Sequence, residues 1–276
     1  MKQDMAQLGA EGILLAGAGR AILLQIANPA VGHGVAEHSN FTDRPLDRLM
    51  GTLTYVYAVS FGTEDQIQEV RRRVNKAHAP VRRAATEASA GYNAYDADAQ
   101  LWVAATLYDT AATVLTEIYG TPDAEAADAM YRDYARLGTA LQVPSHLWPA
   151  DRAAFATYWE GQVATLRADA TAVRVATALL RPSGGPLWYR ALMPPARFLT
   201  AGFLPDQLRQ DFGLAWSKGS ERRFRRTMRV LAVTYPRLPR LLRHWFKDYC
   251  LASIDTGAGS GSGGVGPATG RGVPDA

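Results

Sequence analysis

The residues of this chain with most capacity for chemistry are its histidines and the polar groups spaced to reach them. His78 stands in helical register with Ile67, Val70, Val74 and Val81, so an imidazole is aimed at the core from an apolar stripe. Pro80 follows two residues later without an amide hydrogen, which predicts a kink and a carbonyl freed near Lys76. The position suits either a core histidine hydrogen-bonded to a neighbouring helix or a metal or haem ligand. His38 shares one face of a short helix with Val31 and Val35, and Glu37 lies beside it on a neighbouring face. His33 and Glu37 are four residues apart, a spacing that suits a shared metal ion or two side chains facing solvent, and Gly32 and Gly34 weaken the helix between them. Arg48 and Thr52 repeat that spacing after Pro45. An arginine there either holds a carboxylate or propionate through its planar fork or lies in solvent. Trp102, Tyr108, Tyr92 and Tyr95 read as core aromatics.

The elements that carry these residues are helical. Apolar residues recur at helical spacing through most of the chain, and alternating β-branched runs are nearly absent. The pattern predicts an all-α chain with helices near 5–27, 30–39, 45–60, 63–88, 98–119, 122–138, 150–181, 188–200, 205–211, 220–234 and 237–248. Start signals are Asp43 before Pro45, Thr63 with Gln66 in capping-box spacing, Thr121 before Pro122, and Ser220 before a basic run. Pro194, Pro195, Pro205, Pro236 and Pro239 divide the last third into short pieces, yet no linker interrupts the chain before Asp255. The expectation is a single globular multi-helix domain over 1–254. Residues 255–276, rich in Gly, Ser, Ala and Pro, read as a disordered tail.

Composition excludes several classes. With 47% hydrophobic residues in 276, the chain can bury a substantial core. The single cysteine, Cys250, forms neither an internal disulfide nor a cysteine zinc site, which fits a reducing cytoplasm. Asp4, Glu11 and Arg20 interrupt what would be the apolar core of a signal peptide. Ile13–Ile22 reads ILLAGAGRAI, but Ile22 stands where a dinucleotide loop needs its third glycine. No phosphate loop, His-Glu-x-x-His pair or Gly-x-Ser-x-Gly elbow occurs, and no histidine follows a carboxylate by three residues as in a di-iron bundle. Lys218–Lys247 holds ten basic residues against one acid, Glu221, interleaved with Phe224, Met228, Leu231, Tyr235 and Trp245. That amphipathic pattern suits either a docked helix with a solvated basic face or peripheral membrane contact through the C-terminal helices; no motif for nucleic acid accompanies it.

One ordered set of segments resembles a known family. Gly19–Pro29 reads GRAILLQIANP; Val31, Gly34-Val35-Ala36-Glu37-His38-Ser39, Arg48-x-x-x-Thr52, Phe61-Gly62, His78-x-x-Val81-Arg82, Tyr92-Asn93-Ala94-Tyr95-Asp96, Leu101–Leu107, Leu137-Gly138 and Val143-Pro144 come after it in order. Over about residues 12–215 this resembles the latex clearing protein and MpaB-type oxygenases. The resemblance implies a globin-like helical core, haem b with His78 as its proximal ligand, and Arg48 and Thr52 beside the haem. It also implies a small apolar substrate, isoprenoid or polyketide-like, and dioxygen as co-substrate. Glu37 lies near the segment supplying a catalytic carboxylate in the rubber enzyme, and His38 or Glu37 would move protons. The rubber enzyme's distal lysine falls at Gly51, and the family's usual histidines before the first-motif proline and after Trp-Val are Asn28 and Ala104 here. Neither replaces an imidazole. Three readings are open: a haem-dependent oxygenase, a cyclase or isomerase on the same fold with no cofactor, and a non-enzymatic lipid-surface or ligand-binding module.

Overall fold

The computed structural model describes residues 5–38, 45–86, 91–182, 184 and 186–256, with backbone alone for 5–7 and 45–48. The chain is all-α. Its helices are α1 (Ala18–Ala27), α2 (Pro29–His38), α3 (Pro45–Phe61), α4 (Glu64–His78), α5 (Ala97–Tyr119), α6 (Ala124–Thr139), α7 (Arg152–Thr165), α8 (Ala170–Leu180), α9 (Leu187–Phe203), α10 (Asp206–Asp211), α11 (Lys218–Thr234) and α12 (Arg240–Asp255). One antiparallel ribbon, β1 (Arg82–Arg83) with β2 (Tyr92–Asn93), pairs Arg82 with Asn93 and Arg83 with Tyr92.

Helix α5 is the axis of the fold. It is buried along its length from Gln100 to Ile118 and packs against α1, α6 and α11. A helix apolar on most sides needs neighbours on most sides. On one flank Tyr108 meets Phe155 edge-on, with centroids 4.8 Å apart, and Tyr131 and Trp148 complete the cluster. On another, Trp102 stacks on Trp159 at 5.3 Å and donates its indole hydrogen to the Leu24 carbonyl.

Several expected boundaries move, each for a local reason. The first expected helix splits into two 3-10 segments, Met5–Ala10 and Gly12–Gly17, before α1 begins. Gly9, Gly12 and Gly17 disfavour regular helix there, and Glu11 between the segments turns inward to accept from Tyr235 (2.9 Å) and Arg243. The helix expected over 63–88 opens on the anticipated Thr63–Gln66 capping box but stops at His78 rather than kinking onward. Pro80 offers no hydrogen to the Lys76 carbonyl, and the chain turns into β1 instead. The expected 150–181 helix divides at Leu166–Asp169, where Asp169 caps α8 through the Ala172 amide. Asp123 and Ser217, not Thr121 and Ser220, cap α6 and α11. Asp43 lies outside the described residues. Helix α9 runs through Pro194 and Pro195, held in register by its buried Thr200, Ala201 and Phe203. Helix α12 extends to Asp255, which accepts from Gln66 at 3.0 Å. Of the expected tail, 257–276 lie outside the described residues.

Candidate functional site

Helices α1 and α2 meet at Asn28-Pro29 with their axes bent by 104°. Asn28 makes this corner: its side chain accepts from the Ala30 amide (3.0 Å) and its carbonyl from the Gly32 amide (2.8 Å). The corner carries α2 across to the ribbon, where Gly34 lies so close to Val81 and Tyr92 that an added Cβ would approach them to 3.2 and 3.3 Å. At the end of α2, Glu37 and His38 converge on one phenol. The Tyr92 hydroxyl donates to Glu37 Oε2 at 2.6 Å, and His38 Nε2 lies 2.9 Å from the same oxygen. Because that hydroxyl spends its hydrogen on the carboxylate, its oxygen accepts from Nε2–H, which orders the chain as His38, Tyr92, Glu37. Arg83 closes the group, donating to Glu37 Oε1 with its guanidinium 5.1 Å from the Tyr92 ring.

The hydrogen bond from Tyr92, against an opposing effect of burial and with the help of the charges of Arg83 and His38, holds the Glu37 carboxyl below the usual range. Burial first, then Glu37, raises the Tyr92 phenol. A carboxyl depressed in the folded state stabilises above its unfolded value and loses that contribution as pH falls through the folded value. Tyr92→Phe should therefore unfold at lower denaturant than wild type near pH 7, with the gap closing as pH falls below about 4.5. A gap constant from pH 7 to pH 3 in urea titrations would mean that Tyr92 acts through packing alone.

The other side of the ribbon faces His78. Its half-buried ring stands edge-on to Tyr95, centroids 6.4 Å apart and planes at 81°. Tyr95 is fixed in turn: its hydroxyl donates to the Asn75 carbonyl (2.8 Å), while Gln142 donates to the Asn75 side chain (2.9 Å) and pairs with Gln100. Thus Tyr92 and Tyr95, three residues apart, touch the Glu37–His38 group of α2 and the α4 imidazole respectively. Helices α3 and α4 form a hairpin through Gly62-Thr63. At about 1.5 Å per residue, Arg48 is as far from the hairpin turn as His78, with Thr52 one turn nearer. The side chain of Arg48 is outside the described residues; that of Thr52 is half-buried.

Along α3 burial changes abruptly. Tyr55, Tyr57, Ala58 and Val59 are buried, whereas Leu49 is 36% exposed and Met50, Thr52 and Leu53 are only partly covered. Apolar side chains in the first half of α3 thus remain partly open. Among the described residues no three His, Cys, Asp or Glu side chains converge as a metal site. One imidazole at the end of α4, with partly open apolar side chains on the α3 helix that packs on α4, fits a haem, whose iron needs one axial protein ligand and whose ring needs apolar cover.

His33 and Glu37, for which a shared metal ion and side chains facing solvent were both open, do not come together. His33 bonds to Asp169 at 2.6 Å, while Glu37 turns to Tyr92 and Arg83. The two departures from the family's histidine pattern have structural explanations. Asn28 caps α2 and borders a cleft of about 350 Å³ with Trp102, Tyr158 and Gln162. Ala104 is buried in the main core opposite Gly138, where an added Gly138 Cβ would lie 3.5 Å from its methyl. Tyr92 and Arg83 are the candidate-site residues that sequence reasoning missed, Tyr92 having read as a core aromatic and as part of one segment of the family resemblance.

Comparison with known proteins identifies the family. The family model described as ER-bound oxygenase mpaB/B′ and rubber oxygenase, catalytic domain, matches residues 5–233. An uncharacterized protein of Mycobacterium bovis and one of Mycobacterium tuberculosis are each 36% identical to this chain over 235 residues, covering 83% of it and 91% of the relative. No solved structure matches significantly. With the family model spanning most of the helical body, the chain belongs to the mpaB and rubber oxygenase catalytic-domain family.

Proposed function

We propose that this chain is a haem-dependent oxygenase acting on a small apolar molecule, of isoprenoid or polyketide type, with dioxygen as co-substrate. The observation that carries the reading is that Tyr92 and Tyr95, three residues apart, meet the Glu37–His38 pair and His78 respectively. His78 holds the haem from the end of α4, and its ring orientation is set by Tyr95. Bound haem supplies the activation of dioxygen. Arg48, level with His78 on α3, binds a propionate, and the Thr52 hydroxyl shapes the pocket one turn away. Leu49 and Leu53 give the apolar substrate a surface that water leaves readily. Glu37 and His38 move protons through Tyr92: a proton accepted at His38 leaves Nε2 for the phenol oxygen as the phenol hydrogen passes to Glu37.

The test is hemin titration of the purified chain, followed by its absorption spectrum and metal content. Wild type should reach one equivalent with a sharp Soret band. His78→Ala should lose that band, whereas His33→Ala, altered at the Asp169 pair, should keep it. Full haem content in His78→Ala would overturn the ligand assignment. Activity without any Soret band or metal would replace this reading with a cyclase or isomerase that needs no cofactor.

A further inference from the structure

Helices α11 and α12 bury one face each and leave the other unlike an ordinary solvated surface. In α12, His244, Cys250 and Ile254 point inward. The outward stripe holds Leu241 at 82% exposure, Leu242 at 66%, Trp245 at 62% and Tyr249 at 52%. These occupy successive turns of one face, and Trp245 stacks on Tyr249 at 5.7 Å. In α11, Phe224 and Met228 point inward. Its outward stripe runs Arg222, Arg226, Arg229, Val230 and Val233, so it grades from basic to apolar toward the turn that leads into α12. Leu238, also exposed, lies in that turn. Scattered exposed leucines are ordinary, but a run of large apolar side chains within residues 230–249, flanked by arginines, marks a surface that leaves water in use.

We infer that this face docks onto an anionic lipid bilayer. The charge pattern selects this occupant. Arg222, Arg226 and Arg229 are exposed on the stripe, and Arg222, Arg223 and Arg226 line a groove of about 390 Å³ with Ser217 and Gly219. In this segment Glu221 is already paired with Arg225, and Asp248 with Lys247. Among the described residues the α11 stripe therefore offers guanidinium groups outside any ion pair, suited to bidentate contact with headgroup phosphates, and the α12 stripe offers leucines that would enter the acyl boundary. The stacked Trp245 and Tyr249 rings of α12 are amphipathic aromatics of the kind most favourable at the headgroup level. Among the described residues no single helix is long and apolar enough to span a membrane, so the contact is peripheral. Docking of this kind would place a protein of apolar-substrate chemistry where apolar molecules concentrate; the lipid contact itself is independent of haem binding at His78.

The experiment is flotation of the full chain with vesicles of phosphatidylcholine alone and of phosphatidylcholine with about one-third phosphatidylserine, reading Trp fluorescence in parallel. Wild type should float with the anionic vesicles at low salt, release in 0.5 M NaCl, and shift its emission to the blue on binding. Trp245→Phe should lose most of that shift. Leu241→Ser with Leu242→Ser, both on the outward face, should weaken partition at least tenfold with an unchanged circular dichroism spectrum. Arg222→Gln, Arg226→Gln and Arg229→Gln should each weaken it by about fivefold, from about 1 kcal/mol per basic residue. No flotation with anionic vesicles, or flotation indifferent to the leucine pair, overturns the inference. So does a dimer in sedimentation that the leucine pair disrupts, since a second copy would then be the occupant. Because hemin binding is read separately, failure here and failure at His78 are distinguishable.

Discussion

Gly32→Ala is expected to lower the unfolding temperature by roughly 10 °C and to uncouple Glu37 from Tyr92. A Cβ on Gly32 would sit 2.3 Å from the backbone carbonyl oxygen of Ile26. No rotamer relieves a clash between Cβ and backbone, so the corner between α1 and α2 must open. Ile26 and its neighbours Leu23 and Leu24 are almost wholly buried and resist movement from the α1 side. The adjustment therefore falls on α2, displacing Glu37 and His38 from a phenol they meet at 2.6 and 2.9 Å. Overpacking of this kind costs about 3 kcal/mol, which for a domain of this size corresponds to the stated shift. Gly51→Ala is the matched control. Its Cβ would meet nothing within 4 Å, and alanine is the better helix former, so α3 should gain a few tenths to about 1 kcal/mol. The uncoupling is read by a double-mutant cycle: Tyr92→Phe, costly in wild type, should cost little more once Gly32 is alanine. An unchanged unfolding temperature in Gly32→Ala would show that α2 is not held by this approach.

That corner also shows where sequence reading stops. The helices were legible because their apolar faces repeat every three to four residues, and Thr63 with Gln66 fixed one start closely. What periodicity cannot show is which outward-facing residue meets which partner across a chain reversal. Glu37 and His38 stood out as titratable neighbours, but Tyr92 and Arg83 lie about fifty residues further on. Only the ribbon brings them back, and two-residue strands are too short to leave an alternating pattern. His33 misled for the same reason. Its four-residue spacing from Glu37 is local and visible, whereas its actual partner, Asp169, is 136 residues away. The apolar stripe of α4 was legible because its signal is local; the stop at His78 and the turn into β1 were not, since a proline disturbs a helix without specifying the next element.

Arg20 is the extreme case, and Arg20→Met should be among the most destabilising substitutions outside the candidate site. In the sequence it interrupts an apolar run and looks like surface charge. In the structure it is 5% exposed and joins three elements. Nη2 donates to Asp109 at 2.5 Å and Nη1 to Thr110 at 2.7 Å, both on α5; Nε donates to the Phe203 carbonyl at the end of α9 at 3.0 Å; and the guanidinium lies 5.8 Å from the Trp159 ring of α7. Burial already pushes the Asp109 carboxyl up, and Arg20 is the cation that opposes the rise. Removing it strands a carboxylate and a carbonyl in a poorly solvated site, at a cost of about 3 kcal/mol or more. Asp109 then answers by taking up a proton. A carboxyl raised in the folded state favours folding as pH falls, so the deficit of Arg20→Met should be largest near neutrality and shrink toward pH 5 in urea titrations. Asp109→Leu added to Arg20→Met should recover part of the loss, because an apolar pair of similar volume leaves no charge to desolvate. A deficit independent of pH and unrelieved by the second change would mean that the ion pair is incidental and that Arg20 acts by filling space.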